Sequence, residues 1–308
     1  MDLRFRLHRA KRPLLLGGPV VLIAVVGISW LTSSPGDLSL LAPHAERYGY
    51  DRLLAQLKTQ DAPNDSFRFV VLGDSRNNIA VAGGVFEQAA TEQPVMIFHT
   101  GDMIRGGTVK EYLENYVPLL EAVDPIPVFA VPGNHERGDR HDYAAFKALY
   151  GDTRFSFDYG PCRFVGLNVS EKVSVTSSDL EYLEAELSRP GAEHKFVFFH
   201  VPPKYFEGQV ATDDRRGFDW NADQFRDLLS RHRATEVFMA HIHGYATSVI
   251  DDVRYTLSAG AGASFSDRLP EEGRIFHYMV VHVSPEGLSE ELVYLDASTG
   301  EWRRRTVY

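Results

Sequence analysis

Six residues whose side chains suit a transition metal share one local setting: Asp74, Asp102, Asn134, His200, His241 and His243 each come just after a short apolar run. Carboxylate, amide oxygen and imidazole together favour Mn, Fe or Zn over Ca or Mg. The stretch Val131-Pro132-Gly133-Asn134-His135-Glu136 concentrates this chemistry. Asn134 offers a neutral oxygen ligand, and His135 offers a ligand or a proton near neutral pH. By itself Gly-Asn-His is ordinary turn chemistry after a strand, and a single His at a strand end is usually a surface or core residue. Six such donors in one kind of place are a different observation. His241 and His243, one residue apart, face the same side of an extended segment or splay across a tight turn, so both can address one point.

The elements that must position them follow an alternating pattern. Phe67–Leu72, Val95–His99 and Ile126–Ala130 read as buried strands. Helices are expected over about 79–92 and 108–122 between them. Strand, helix, strand, helix, strand is a parallel progression, and open α/β sheets place ligands at the carboxyl ends of their strands. A hairpin is expected over 154–168 around Gly160-Pro161, a capped helix over 178–187, a strand over 195–199, a helix over 221–232 and a strand over 236–240. Beyond that the chain reads as β, with alternation near 275–283, 287–295 and 301–308. The C-terminal strands fit sheet edges or pairing with a partner. His99 alternates out of phase with Thr100 and reads as structural. The segment 204–220, with Tyr205, Phe206, Phe218 and Trp220, fits a lid or an ordinary surface loop.

The order of these motifs resembles the calcineurin-like metallophosphoesterase family. Its pattern is Asp-x-His, Gly-Asp, Gly-Asn-His-Asp/Glu, a lone His and Gly-His-x-His, each after a strand. The matches are Asp74-Ser75-Arg76, Gly101-Asp102, Gly133-Asn134-His135-Glu136, His200 and Ala240-His241-Ile242-His243, spanning about residues 66–265. The resemblance implies a four-layer αββα sandwich, two mixed β-sheets flanked by helices, with two metal ions at the strand ends. Carried over residue by residue, Asp102 bridges the ions, Asp74 and His243 serve the first, and Asn134, His200 and His241 serve the second. Asn134 also stands where the substrate is bound. A pair of ions lowers the pKa of a bridging water, polarises the phosphoryl oxygens and stabilises in-line attack. His135 then assists the leaving oxygen.

Two positions depart from the pattern. Ala240 replaces a glycine, a small change. Arg76 stands where the first motif has His. A guanidinium has no lone pair and stays protonated, so Arg76 is no metal ligand. The purple acid phosphatase branch also lacks that His but uses a Tyr three residues after the bridging Asp; Arg105 holds that position here and cannot substitute. Three readings of Arg76 follow: it clamps the substrate phosphate through paired hydrogen bonds, it pairs with an acid at the edge of the site, or it marks a site with one metal and no activity. The same residue keeps open an alternative function, a catalytically reduced protein that binds a phosphorylated ligand. Arg105, Arg137, Arg140 and His141 follow the second and third motifs, in positions that fit the lining of the cleft or, as the simpler reading, solvated surface.

The 308 residues suffice for one large α/β domain, and 44% hydrophobic with 24% charged residues is ordinary globular composition. A net charge of -10 argues against a general nucleic-acid partner. The N-terminus differs: Arg4, Arg6, Arg9, Lys11 and Arg12 precede an uncharged apolar run over 13–31, about the length that spans a bilayer. Residues 1–12 then stay cytoplasmic, and the remainder lies outside, in a periplasm or at a cell surface. A cleaved signal peptide is the rival reading, although Trp30 suits an interfacial anchor. Residues 32–65 read as a tether with a stalk helix, and 66–308 as the catalytic domain. With Cys162 alone, no intrachain disulfide forms. A phosphorylated small molecule or a lipid-linked phosphate is the expected partner.

Overall fold

Residues 36–60, 66–170, 175–212 and 217–308 are described by a computed structural model. The apolar run over 13–31 lies outside them, so the expected span is not among the described residues. Among those residues no helix is long and apolar enough to cross a membrane.

Three parallel strands start the chain's first sheet: β1 (Phe67–Leu72), β2 (Met96–His99) and β3 (Val128–Ala130). They are connected as expected. Helix α3 (Ile79–Thr91), opened by the Asn78 side chain accepting from Val81 N–H, joins β1 to β2. The second crossover is one helical stretch in three parts, α4 (Val109–Glu111), a π turn (Tyr112–Tyr116) and α5 (Val117–Val123). Thr108 and Glu111 form a capping box at its start.

The second sheet begins with the hairpin β4 (Phe155–Tyr159) and β5 (Cys162–Gly166), then adds β6 (His194–Phe198) and β7 (Glu236–Met239) in parallel. Strand β8 (Tyr245–Ile250) returns through a tight turn at Asp251-Asp252 into β9 (Val253–Ser258), which lies beside β7. The chain then crosses back. Strands β10 (His277–Ser284), β11 (Gly287–Leu295) and β12 (Trp302–Thr306) extend the first sheet antiparallel from β1, with β12 at its edge. Both sheets are therefore six-stranded and mixed, in the orders β12-β11-β10-β1-β2-β3 and β4-β5-β6-β7-β9-β8.

Alternation along the second sheet explains how it serves two interfaces. Phe164, Phe196, Phe198 and Phe238 join the cluster between the sheets, whereas their neighbours Val165, Val197, Val237 and Met239 join a second cluster under the outer helices. Those helices are α7 (Ser177–Ser188), α8 (Lys204–Val210) and α9 (Ala222–Arg231). Phenylalanine rings fill the space between the sheets: Phe98 of β2 stacks on Phe198 of β6 at 4.1 Å, and Phe69 of β1 meets Phe196 at 5.0 Å and Phe164 at 5.3 Å. Aromatic pairs of this kind add to area burial.

Several elements depart from the expected map. The helix expected within the tether segment is present, as α1 (Ala42–Tyr48) and α2 (Tyr50–Thr59) divided at Gly49, but it is no stalk. Tyr48, Tyr50, Leu53 and Leu57 are buried in the main core, and the Tyr50 hydroxyl donates to the Ala130 carbonyl at the end of β3. Two helices escape the sequence reading. One is α6 (Ala144–Tyr150), short and followed by Gly151. The other is α8, inside the stretch read as lid or loop. Phe206 and Phe218 from that stretch are wholly buried against the second sheet, while Trp220 is 69% exposed.

Candidate metal centre

The carboxyl ends of β1, β2, β3, β6 and β7 meet along one edge of the sandwich, and the turns that follow them carry the donors. Asp74, Asp102 and His241 all take left-handed backbone conformations, with φ of 56°, 59° and 73°. Such conformations are costly for residues with a Cβ and cluster where the surrounding structure fixes a side chain. Two glycines allow the turns to nest. A Cβ on Gly133 would lie 2.2 Å from Asp102 Oδ1, and one on Gly101 would lie 2.6 Å from Gly133 N and 2.8 Å from His200 Nδ1. The glycines in Gly101-Asp102 and Gly133-Asn134 are thus fixed by close approach to Asp102 and its neighbours.

Asp102 sits at the centre, 1% exposed. Its Oδ1 accepts from the His135 backbone N–H at 3.1 Å and lies 3.3 Å from His200 Nε2. Its Oδ2 accepts from Arg76 Nε at 3.0 Å and lies 3.8 Å from His135 Nε2. Burial works against its charge, but the combined fields of His200, His135 and Arg76 outweigh it and hold the carboxyl well below the usual range. Asp74 is wholly buried; Oδ2 accepts from the His241 backbone N–H at 2.9 Å, and Oδ1 lies 3.2 Å from His243 Nε2. Asp74, Asp102 and His243 together form a group able to hold an ion, their donor atoms within 4.8 Å of one another.

The histidines are aimed by backbone carbonyls. His200 Nδ1 lies 2.9 Å from the Thr100 carbonyl, His243 Nδ1 2.6 Å from the Ser264 carbonyl, and His135 Nδ1 2.6 Å from the Arg105 carbonyl. A carbonyl only accepts, so each Nδ1 donates and Nε2 is left to face the site. The His200 and His241 rings meet edge to face at 5.2 Å. Burial resists protonation of His200, but Asp102 and Asp74 prevail and lift it to about 9, so a metal at Nε2 competes with a proton there. Among the described residues Asn134 Oδ1 is buried without a hydrogen bond, while Asp74 Oδ1 and His200 Nε2 are buried with long acid–imidazole contacts, to His243 at 3.2 Å and to Asp102 at 3.3 Å. Buried lone pairs without a donor are costly in a folded protein, and a cation among them removes the cost. The donor set therefore fits a metal.

Two residues nearby do their work by hydrogen bonds. Glu136 is wholly buried and accepts four backbone N–H groups: Asp102 and Gly133 at one oxygen, Met103 and Ile104 at the other, at 2.7–3.1 Å. Burial and the Asp102 charge push its carboxyl up to about 7, against the pull of those donors. The sequence reading quoted Glu136 within a motif but gave it no task; the signal was its acidic type directly after His135. His99 donates from Nε2 to Ser75 at 3.0 Å and accepts the Gly101 N–H at Nδ1, and burial pushes its pKa down to about 3. It is a structural residue of the first two turns. Arg105, Arg140 and His141 are exposed.

All seven residues expected to act on metal or proton are thus placed along one edge, and Arg76 reaches into the same group. Its Nε bonds Asp102, and its Nη2 lies 3.1 Å from His243 Nε2. Of the three readings of this residue, pairing with an acid is the contact observed, and the acid is Asp102.

Comparison with known proteins agrees with this arrangement. No curated protein matches the chain in sequence. Among solved structures, a purple acid phosphatase from yellow lupin (Lupinus luteus) seeds is similar with a TM-score of 0.62 at 15% identity, covering 80% of this chain and 54% of that one, so the chain spans about half of its length. GAP50, the anchor in the inner membrane complex of Plasmodium, is similar with a TM-score of 0.59 at 15% identity, covering 80% and 90%. A dimetal phosphatase from Danio rerio follows, with a TM-score of 0.53, 17% identity, and coverage of 80% and 100%. These likenesses show the fold. Residues 67–245 match the model of the calcineurin-like phosphoesterases. With more than half of its length matched and the motif residues gathered at one edge, the chain belongs to the calcineurin-like phosphoesterase family, hydrolases of phosphate ester bonds.

Proposed function

We propose that this chain hydrolyses a phosphate ester at an ion held by Asp102, Asn134, His200 and His241, with His135 assisting the leaving oxygen. The observation that carries the reading is the buried Asn134 Oδ1, which has no hydrogen bond among the described residues, next to an ionised Asp102 and the buried His200 Nε2 at 3.3 Å from it. When bound, the ion supplies Lewis acidity toward a phosphoryl oxygen and lowers the pKa of a water. The protein residues do the rest. Glu136 fixes the Asp102 and Gly133 turns relative to each other through four N–H groups. The Arg105 carbonyl accepts from His135 Nδ1, so Nε2 faces the site, and the proton it can give there is the second proton of an imidazolium. At 30% side-chain exposure, His135 is the open side of an otherwise buried group, where a substrate enters. A proton passed from that Nε2 to the departing oxygen completes general-acid assistance. Mn, Fe and Zn suit the donors.

For substrate class, a phosphorylated small molecule or a lipid-linked phosphate fits the reading. The basic residues and apolar run of the N-terminus favour a membrane-anchored protein acting outside the cytoplasm. The test is hydrolysis of an aryl phosphate monoester and diester by the full chain with added Mn, Fe or Zn. His135→Ala is expected to lower kcat by roughly 10²–10⁴-fold while leaving metal content unchanged. Phosphate binding without turnover under every metal would sink the proposal in favour of a ligand-binding protein.

A further inference from the structure

The group formed by Asp74, Asp102 and His243 is the natural place for a first ion, yet a cation already stands in it. Arg76 Nε bonds Asp102 Oδ2 at 3.0 Å, and Arg76 Nη2 lies 3.1 Å from His243 Nε2. These are the two atoms that a metal there would need at about 2.0–2.2 Å. An imidazole nitrogen has one site for a partner. With Nδ1 given to the Ser264 carbonyl, His243 Nε2 either accepts from Arg76 or donates to Asp74 Oδ1 at 3.2 Å. It is committed in both cases. Arg76 is also well enclosed, 13% exposed at the side chain, so its guanidinium is held in the group rather than lying over it. Two carboxylates gathered in a buried pocket call for positive charge; Arg76 provides it permanently, since guanidinium does not lose its proton in a protein.

We infer that Arg76 takes the place of the first metal ion, so that this phosphoesterase is mononuclear: one ion on the side of Asn134, His200 and His241, and a built-in guanidinium on the side of Asp74 and His243. Arg76 Nη1 makes neither of the two bonds named above and is the donor left for a phosphoryl oxygen, the task a first ion would otherwise perform. The inference rests on the proposed metal-dependent hydrolysis but makes a separate claim, about stoichiometry.

The experiment is metal analysis of the full-length chain after saturation with Mn²⁺ and removal of excess, with electron paramagnetic resonance and aryl phosphate hydrolysis on the same samples. The wild type is expected to hold one ion per chain with the spectrum of an isolated Mn²⁺. Asn134→Ala is expected to hold none, and Arg76→His two, with the broadened spectrum of a coupled pair. Two ions in the wild type overturn the inference, as does one ion in both wild type and a folded Arg76→His, or an ion retained by Asn134→Ala. Should Arg76→His not fold, the wild-type stoichiometry and spectrum still decide. Two ions with turnover leave the hydrolytic reading standing without this inference; the expected stoichiometries with no turnover in any sample leave the inference standing without hydrolysis.

Discussion

Glu136 shows how much of the candidate metal centre lies outside its candidate ligands. Two carboxylate oxygens satisfy four N–H groups from two separate turns. Glu136→Gln turns one oxygen into an amide donor and leaves about two buried N–H groups facing it. Each unpaired group costs roughly 1–3 kcal/mol, so the unfolding midpoint is expected to drop by several degrees in calorimetry. Because the Asp102 turn shifts with it, kcat is expected to fall as well; an unchanged midpoint would contradict this account of Glu136. The candidate ligands themselves were legible in the sequence because each is a chemically distinctive type following an apolar run. The role of Glu136 was not, since it is defined by backbone N–H groups about thirty residues away and those have no letter in a sequence. The Arg76 contact was hidden for a related reason. Its type excluded a ligand role at once, but pairing with Asp102 depends on how two turns nest, and only the neighbouring Gly101 and Gly133 hinted at the closeness.

At the scale of elements, the strands that carry donors read clearly because they are short, apolar and ended by polar turns. Strand β1 was read to the residue, and β2 and β6 to within one residue at their ends. Helical structure before residue 60 was legible, but the place of α1 and α2 in the core was not. Their apolar residues are few, and what makes them part of the domain is long-range: Tyr50 packs on Phe129, Tyr150 and Phe155. Local pattern cannot report such partners. A chain beginning at residue 66 is therefore expected to be much less stable than one beginning at residue 36. Losing the burial of Tyr48, Tyr50, Leu53 and Leu57 forfeits about 6–12 kcal/mol at about 1.5–3 kcal/mol per side chain, a loss comparable to a domain's whole stability. Urea titration of the two chains measures it, and equal midpoints would mean that these helices are a passive stalk after all. In the inter-sheet layer, Phe98→Ala is expected to cost about 3–5 kcal/mol, because its ring packs on both Phe164 and Phe198 across the layer.

For the whole molecule, the two sheets are joined at both ends by ionisable groups. Far along β7 from its donor-bearing turn, Glu236 of the second sheet meets Glu290 of the first. Burial, followed by the proximity of Glu290, pushes the Glu236 carboxyl well above its usual range. A carboxyl raised in the folded state gives stability that is complete below its unfolded pKa and lost as pH climbs through the folded one. Denaturant midpoints are thus expected to fall from mildly acidic toward alkaline pH, and Glu236→Gln to flatten that slope; an unaltered slope would remove Glu236 as its source. At the opposite edge the donors come from both sheets: Asp102 and Asn134 follow β2 and β3, His200 and His241 follow β6 and β7. An ion held there, as proposed, would clasp the sandwich shut, and it would bind only the folded chain. By mass action each tenfold rise in free metal above the dissociation constant adds about 1.4 kcal/mol of stability. The unfolding temperature should then climb with the logarithm of metal concentration, and chelation should speed digestion by a protease. Metal supply would accordingly set how long each copy of the protein survives as well as whether it turns over.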